Sequence, residues 1–205
     1  MWGRNSGQTN QIDELAKRAS KGDRKAFDEL VRLTHSDAFT LAMRLTNNTE
    51  DAADATQEAY VRIQRSITKF RGDSAFGTWM YRVVANCAAN QLARRNKHSH
   101  DELDAHDVVD VRSTTATQQP LSVDRDQLAE ALKELPDPLR AVIVLRDLYD
   151  MTHRDIAVEL GINEATAKVR LHRARKSLAA KLSKLRDPVD SDVGSSEERK
   201  EQGHV

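Results

Sequence analysis

NEATAKVRLHRARKSLAAKLSKLR, residues 163–186, is the stretch on which the fold turns. Its apolar positions Ala167, Leu171, Ala174, Leu178, Leu182 and Leu185 step by four or three residues. Every charged side chain after Glu164 is basic: Lys168, Arg170, Arg173, Arg175, Lys176, Lys181, Lys184 and Arg186. At about 100° per residue the apolar set forms one stripe of a helix, and Ala165, Val169, His172, Arg173 and Lys176 fall roughly opposite it. One side of this helix suits a core, the other phosphates and base edges.

The residues just upstream say how the helix is presented. Thr152 followed by Asp155 has the spacing of a capping box, and Ile156, Ala157 and Leu160 give a short apolar face. Gly161 ends that helix as a left-handed cap, and Asn163 is an N-cap for the next. Ala157 and Gly161, four residues apart, carry the tight-turn spacing of a helix-turn-helix, whose second helix enters the major groove. The bland alternative is an αα-hairpin with a solvated basic face.

Composition alone hides this polarity. The 205 residues carry 32 basic and 32 acidic side chains, so net charge points to no polyanionic partner; the segregation of charge does. A single cysteine, Cys87, excludes an internal disulfide framework and a multi-cysteine zinc site, and its neighbours Ala88 and Ala89 suggest a small buried filler. No apolar run approaches a membrane span, and residues 1–10 lack the apolar centre of a signal peptide. A soluble cytoplasmic protein, with no membrane insertion, is the expectation.

Helical periodicity runs through most of the chain with no sustained alternation, so the expected fold is all-α: two small helical domains joined by an acidic flexible linker, the second a helix-turn-helix. Ile12, Leu15, Ala16 and Ala19 mark a first helix closed near Gly22. Asp23 caps a second that turns Phe27, Leu30, Val31, Thr34, Ala38, Leu41, Ala42 and Leu45 inward. Thr49 or Glu50 starts a third through Ala52, Ala53, Ala59, Tyr60 and Ile63, and Ser74 caps a fourth that runs to about Arg95. Between Asn96 and Pro120 the periodicity disappears among Asp101, Glu102, Asp104, Asp107 and Asp110. Helices resume from Val123, break at Pro136-Asp137-Pro138, and continue from Leu139 to Leu148. The Ser-, Glu- and Asp-rich stretch from Pro188 reads as a disordered tail.

The fourth helix has its own unusual face. Trp79, Arg82 or Val83, Asn86 and Asn90 share one side, and Phe70, Phe76, Trp79 and Tyr81 cluster within twelve positions of a chain that is 4% aromatic. Aromatics interleaved with Asn and Arg can stack on an unpaired base and hydrogen-bond its edge; a plain aromatic core is the alternative for Phe76 and Tyr81. Mid-helix Asn86 and Asn90 have poor helical propensity, which calls for a polar purpose or solvent exposure.

The segments Asp54-Ala55-Thr56-Gln57-Glu58-Ala59-Tyr60, then Phe70-Arg71-Gly72-Asp73-Ser74-Ala75-Phe76-Gly77-Thr78-Trp79, then Leu135-Pro136 through Arg140 and the basic helix-turn-helix, closely resemble the extracytoplasmic-function (ECF) sigma factors of bacterial RNA polymerase. The likeness spans roughly residues 12 to 186 in collinear order, a more specific signal than any one motif. It implies a transcription initiation factor that binds core polymerase, recognises −35 and −10 promoter elements and helps to melt the promoter. Residues 10–96 would form the polymerase- and −10-binding domain, 97–121 the linker, 122–186 the −35-binding domain and 187–205 the tail.

Position by position, the resemblance assigns Asp51, Asp54, Gln57 and Glu58 to polymerase docking. For the single-stranded −10 element it indicates Phe70, Arg71, Trp79, Arg82, Asn86 and Asn90. For the −35 duplex it indicates Lys168, Val169, Arg170, His172, Arg173 and Lys176. Without the resemblance, residues 51–65 read as a solvated amphipathic helix. The linker acids read equally as a nucleic-acid mimic inside the polymerase or as plain solvation. The implied partners are core polymerase, promoter DNA and an anti-sigma factor as a further candidate. The competing function is a homodimeric helix-turn-helix regulator that binds palindromic duplex without polymerase.

Catalysis finds little support. The histidines lack metal-ligand spacing, no Gly-rich phosphate loop appears, and no metal, cofactor or catalytic residue is expected. His98, His100 and His106 could bind metal adventitiously, but exposed histidines usually only titrate.

Overall fold

The computed structural model describes residues 6–98 and 125–186. The acidic linker and the Ser-rich tail lie outside them. Eight α-helices carry the described chain: α1 (Ser6–Ser20), α2 (Arg24–Thr46), α3 (Thr49–Ser66), α4 (Phe76–His98), α5 (Arg125–Lys133), α6 (Asp137–Ile143), α7 (His153–Leu160) and α8 (Glu164–Arg186). No strand occurs among the described residues. α1–α4 make one helical unit and α5–α8 a second, as the periodicity predicts.

Local chemistry fixes most helix ends. The Asp23 carboxylate accepts the Ala26 N–H at 3.0 Å, and the Asn48 side chain accepts that of Asp51 at 3.0 Å. Asn47 leaves α2 in a left-handed conformation, its N–H bonded to the Met43 carbonyl at 2.9 Å. The start of α4 differs from expectation. Ser74 does not cap it; the Phe76 N–H instead donates to the Asp13 carboxylate of α1 at 2.7 Å. That acceptor comes from 63 residues upstream, so a local cap was the only kind the sequence could show. The predicted helix over 139–148 is also revised: α6 begins at Asp137 with Pro138 in its first turn, where no N–H partner is needed, and gives way to a wider π-turn over Val144–Leu148.

Leu30, Leu41, Leu45, Ile63, Phe76, Met80 and Val84 fill the core of the first unit, and Val142, Val144, Leu145, Ile156, Ala167 and Ala174 that of the second. In α3 the buried row is Ala52, Ala55, Thr56, Ala59 and Ile63; Ala53, expected inward, is exposed because it lies one residue off that 3–4 spacing.

The two units meet along a seam with a buried end and a wetter end. At the buried end the Arg140 side chain, only 3% exposed, donates to the Leu135 carbonyl at 2.8 Å and to the Leu45 carbonyl at the C-terminus of α2 at 3.3 Å, and pairs with Asp137. A cation there satisfies carbonyls that α2 leaves open. Beside it Arg95 bridges Asp51 at 2.8 Å and Asp137 at 2.5 Å, tying α3, α4 and α6 together. At the wetter end Tyr81 meets Tyr149 edge-on with ring centroids 4.7 Å apart, and Arg82 pairs with Asp155 of α7 at 2.9 Å. Burial pushes the Tyr149 phenol up to about 12.

Candidate nucleic-acid interface

The outward face of α4 borders a cleft of about 370 Å³, lined by Arg62, Trp79, Arg82, Val83, Asn86 and Glu159. That is at the small end of the roughly 300–1,000 Å³ of small-ligand sites, a size suited to a single base. Three sequence-predicted residues, Trp79, Arg82 and Asn86, line it directly. A fourth, Phe70, supports the wall: its ring lies 5.6 Å from that of Trp79 and 5.7 Å from that of Phe76. Phe76 itself is fully buried, so the aromatic cluster divides into a core ring and two partly exposed ones. Tyr81 packs on Tyr149 rather than in the cleft. Arg71 is exposed on the loop before α4.

The polar floor is a chain of hydrogen bonds. Arg62 Nη2 donates to Glu58 Oε1 at 2.6 Å and Arg62 Nη1 to Asn86 Oδ1 at 2.7 Å. Asn90 Nδ2 also donates to Asn86 Oδ1, at 3.3 Å. Glu159 reaches over from α7 and lines the same cleft. Burial raises the affinity of Glu159 for a proton, against the opposing pull of Arg82. Arg62 and Glu159 were not among the residues that the sequence singled out. The Glu58–Arg62 spacing of four was a visible ion-pair signal; the contacts of Arg62 with Asn86 and of Glu159 with the cleft were not.

The second surface is the outer face of α8. The side chain of Asn163 accepts the Thr166 N–H at 2.7 Å, and Gly161 turns the chain with φ +64°, as a helix-turn-helix requires. Ala167, Leu171 and Ala174 are buried, while Lys168, His172, Arg173 and Lys176 are exposed and Val169 and Arg170 half-buried. The predicted stripe therefore faces inward and the basic row outward. Not every base on α8 is held outward for a ligand. Arg175 makes a two-pronged contact with Asp147 at 3.0 and 2.5 Å, and Lys181 pairs with Glu134 at 2.6 Å, so these two fasten the helix to its own unit.

On α3, Asp54 and Gln57 are exposed, whereas Asp51 and Glu58 are half-buried and engaged by Arg95 and Arg62. The four proposed docking positions thus present two side chains openly and hold two in internal pairs. Among the described residues no group of three or more His, Cys, Asp or Glu side chains is placed to hold a metal ion. Cys87 is buried against the core, which pushes its thiol up to about 11 and leaves it a poor nucleophile. Among the same residues no helix is long and apolar enough to cross a membrane.

Comparison with known proteins gives a consistent picture. The sigma-70 region 2 family matches residues 30–98, and sigma-70 region 4 matches residues 125–178. The chain is 31% identical over 184 residues to the RNA polymerase sigma-H factor of Pseudomonas aeruginosa, covering 85% of this chain and 95% of that protein. It is 33% identical over 187 residues to the ECF RNA polymerase sigma-E factor of Escherichia coli, covering 86% and 96%. Its fold is similar to that of the sigma factor RpoE from Bartonella quintana, solved with the anti-sigma factor NepR, at a TM-score of 0.53 and 24% identity over 78% of this chain and 98% of that one. A similar likeness links it to CnrH, solved with the cytosolic domain of CnrY, at a TM-score of 0.52 and 22% identity over 84% and 97%.

Proposed function

Because the chain belongs to the ECF family of RNA polymerase sigma factors, we propose that it binds the core enzyme, reads both promoter elements and leaves bond chemistry to the polymerase. In this reading α3 docks on the core through Asp51, Asp54, Gln57 and Glu58. The α4 cleft, with Phe70, Arg71, Trp79, Arg82, Asn86 and Asn90, holds an extruded base of the −10 strand. Lys168, Val169, Arg170, His172, Arg173 and Lys176 read the −35 duplex. Residues 10–96 and 122–186 are the two working domains, residues 97–121 their linker and 187–205 the tail. The protein works in the cytoplasm beside the chromosome, and an anti-sigma factor is its antagonist, by analogy with the structural relative solved with one.

The observation that carries this is the coexistence, in one chain and in collinear order, of a walled aromatic-amide cleft and an exposed basic recognition helix. A regulator that reads duplex alone has no use for the first. Extruding a base costs a few kcal/mol of stacking, which a cleft already assembled from Trp79 and Asn86 can offset without ATP. Two modest readers on one tether gain further by effective concentration.

The arrangement described here is the closed one. The elements are named for positions about 25 base pairs apart, roughly 85 Å of duplex at 3.4 Å per base pair. Arg82 of the first reader, however, touches Asp155 of the helix-turn-helix at 2.9 Å. Engaging both elements therefore requires the seam between the units to part. The test is reconstitution with core polymerase and a randomised promoter pool, followed by mapping of start sites. Specific initiation with two enriched elements at fixed spacing is the expected result. Binding to palindromic duplex in the absence of polymerase, without initiation, would overturn the reading in favour of a homodimeric regulator.

A further inference from the structure

We propose that Arg62 is a positioning residue that sets the hydrogen-bonding polarity of the cleft, locking the Asn86 amide so that its NH2 group faces the bound base. This deepens the reading of the cleft as the −10 strand site and rests on it. An Asn amide presents a donor on one side and an acceptor on the other, and a half-turn about its last bond exchanges them. Unfixed, such a group accommodates both kinds of base edge and discriminates poorly. Asn86 is not unfixed.

Its oxygen lies 2.7 Å from Arg62 Nη1, and a guanidinium can only donate. The reverse orientation would set NH2 against N–H and lose a charge-assisted bond, so Arg62 dictates which end of the amide faces α3. Asn90 adds a second donor to the same oxygen at 3.3 Å. The guanidinium is itself held, because its other nitrogen is engaged by Glu58 at 2.6 Å one helical turn earlier. The Asn86 NH2 group is thereby directed to the opposite side. That side is the cleft, which Glu159 of α7 covers in the closed arrangement. Withdrawal of α7 would leave that donor for a base, and the cleft would favour a base that offers an acceptor atom to Asn86.

The position of Glu58 adds a consequence. It is one of the α3 residues assigned to polymerase docking, so the core-facing helix and the base-reading amide are joined through one guanidinium. Arg62 thus gives the docking surface a physical route to the specificity of the cleft.

The experiment uses the full chain assembled with core polymerase on promoters whose −10 segment is held open by mismatches, with each of the four bases tested at every −10 position. Arg62→Met removes the donors while keeping the aliphatic stem; Arg62→Lys restores one donor. With open-complex formation normalised to −35 duplex binding, Arg62→Met should flatten the preference at one −10 position by about 10-fold, the size of a single good base contact. Arg62→Lys should recover a large part of it. A uniform loss of opening with the order and ratios of base preference intact would make Arg62 merely structural and overturn the proposal. A preference profile identical to wild type in Arg62→Met, with its thermal midpoint unchanged, would do the same. If the wild-type holoenzyme itself showed no base preference at any −10 position, the reading of the cleft would fall, and the role of Arg62 with it.

Discussion

The cleft beside α4 and the outer face of α8 would both bind DNA, yet they are built in opposite ways. The cleft sets an amide and an aromatic ring, Asn86 and Trp79, among charged side chains, and the orientation of the amide is dictated by its partners Arg62 and Asn90. The face of α8 is a row of exposed side chains, Lys168, His172, Arg173 and Lys176, on a helix fastened from behind by Arg175 and Lys181. A reader of single strands discriminates by fixed donors, so its polar groups need internal partners to be preorganised. A reader of duplex gains affinity from released counterions and takes its specificity from base-edge contacts made by exposed side chains at the right spacing. The first kind of surface can be closed by a small movement of a neighbouring carboxylate; the second is governed by salt.

The largest test of this contrast lies at the buried end of the seam. Arg140→Ala removes a cation that is 3% exposed and bonded to the Leu135 and Leu45 carbonyls and to Asp137, leaving those groups without their donor. Breaking one side of a buried pair costs about 3 kcal/mol or more. Denaturant titration of the full chain should show a correspondingly lower midpoint. Since only the cleft depends on the seam for its cover, binding to open-bubble DNA should be affected far more than binding to −35 duplex. Equal effects on both would break the distinction between them.

A smaller effect is expected on α8, where the comparison can be sharpened residue by residue. Arg173→Ala should lose about 1–3 kcal/mol of −35 duplex affinity if it makes a base contact, and relax selectivity at one position. Lys176→Ala, if it meets phosphate, should weaken all duplexes alike and reduce the slope of log affinity against log salt by about 1. Neither should alter binding to a mismatched bubble that lacks the −35 element. Fluorescence anisotropy over a salt series measures all three.

The elements most legible in the sequence are those set by neighbours three or four residues apart. Asp23, Thr152 and Asn163 each accept an N–H three residues on, so their spacing carried the helix starts. The stripe Ala167, Leu171, Ala174 is buried as its period requires. The cleft wall at Trp79, Arg82 and Asn86 was legible for the same reason, being one face of one helix. What stayed hidden is whatever depends on a partner distant in the chain: the cap that Asp13 supplies to Phe76, the grip of Arg140 on Leu45, the hold of Arg62 on Asn86 and the reach of Glu159 into the cleft. These contacts span from 24 to 95 residues where a separation is measured, beyond any periodicity. The π-turn at Val144–Leu148 escaped for a different reason, since its apolar run reads equally well as α-helix.

The smallest predicted effect concerns protons at the wetter end of the seam. There Glu159 of α7 faces Arg62, Arg82 and Asn86 across the cleft, with Asp155 one turn away on its own helix. Burial in the closed arrangement raises its proton affinity above the ordinary carboxylate value of 4.5, and parting of the units would return it to water. A group that binds its proton more tightly when closed favours closure most fully at acid pH, and that contribution is lost as the pH rises through the raised value. Mildly acid solution should therefore close the cleft and weaken its binding of bubble DNA, relative to neutral pH. Glu159→Gln keeps the shape, cannot ionise, and should hold the closed state across the same range with a flat profile. The neighbouring Arg82–Asp155 pair is partly exposed and contributes under about 1 kcal/mol, so it does not by itself lock this end of the seam. Energy transfer between dyes on α1 and α8, read against pH for both proteins, separates this from a direct effect on DNA. A wild-type profile as flat as that of Glu159→Gln would show that the carboxylate does not govern the cleft, and would leave the Arg82–Asp155 and Tyr81–Tyr149 contacts and the buried end of the seam to hold it shut.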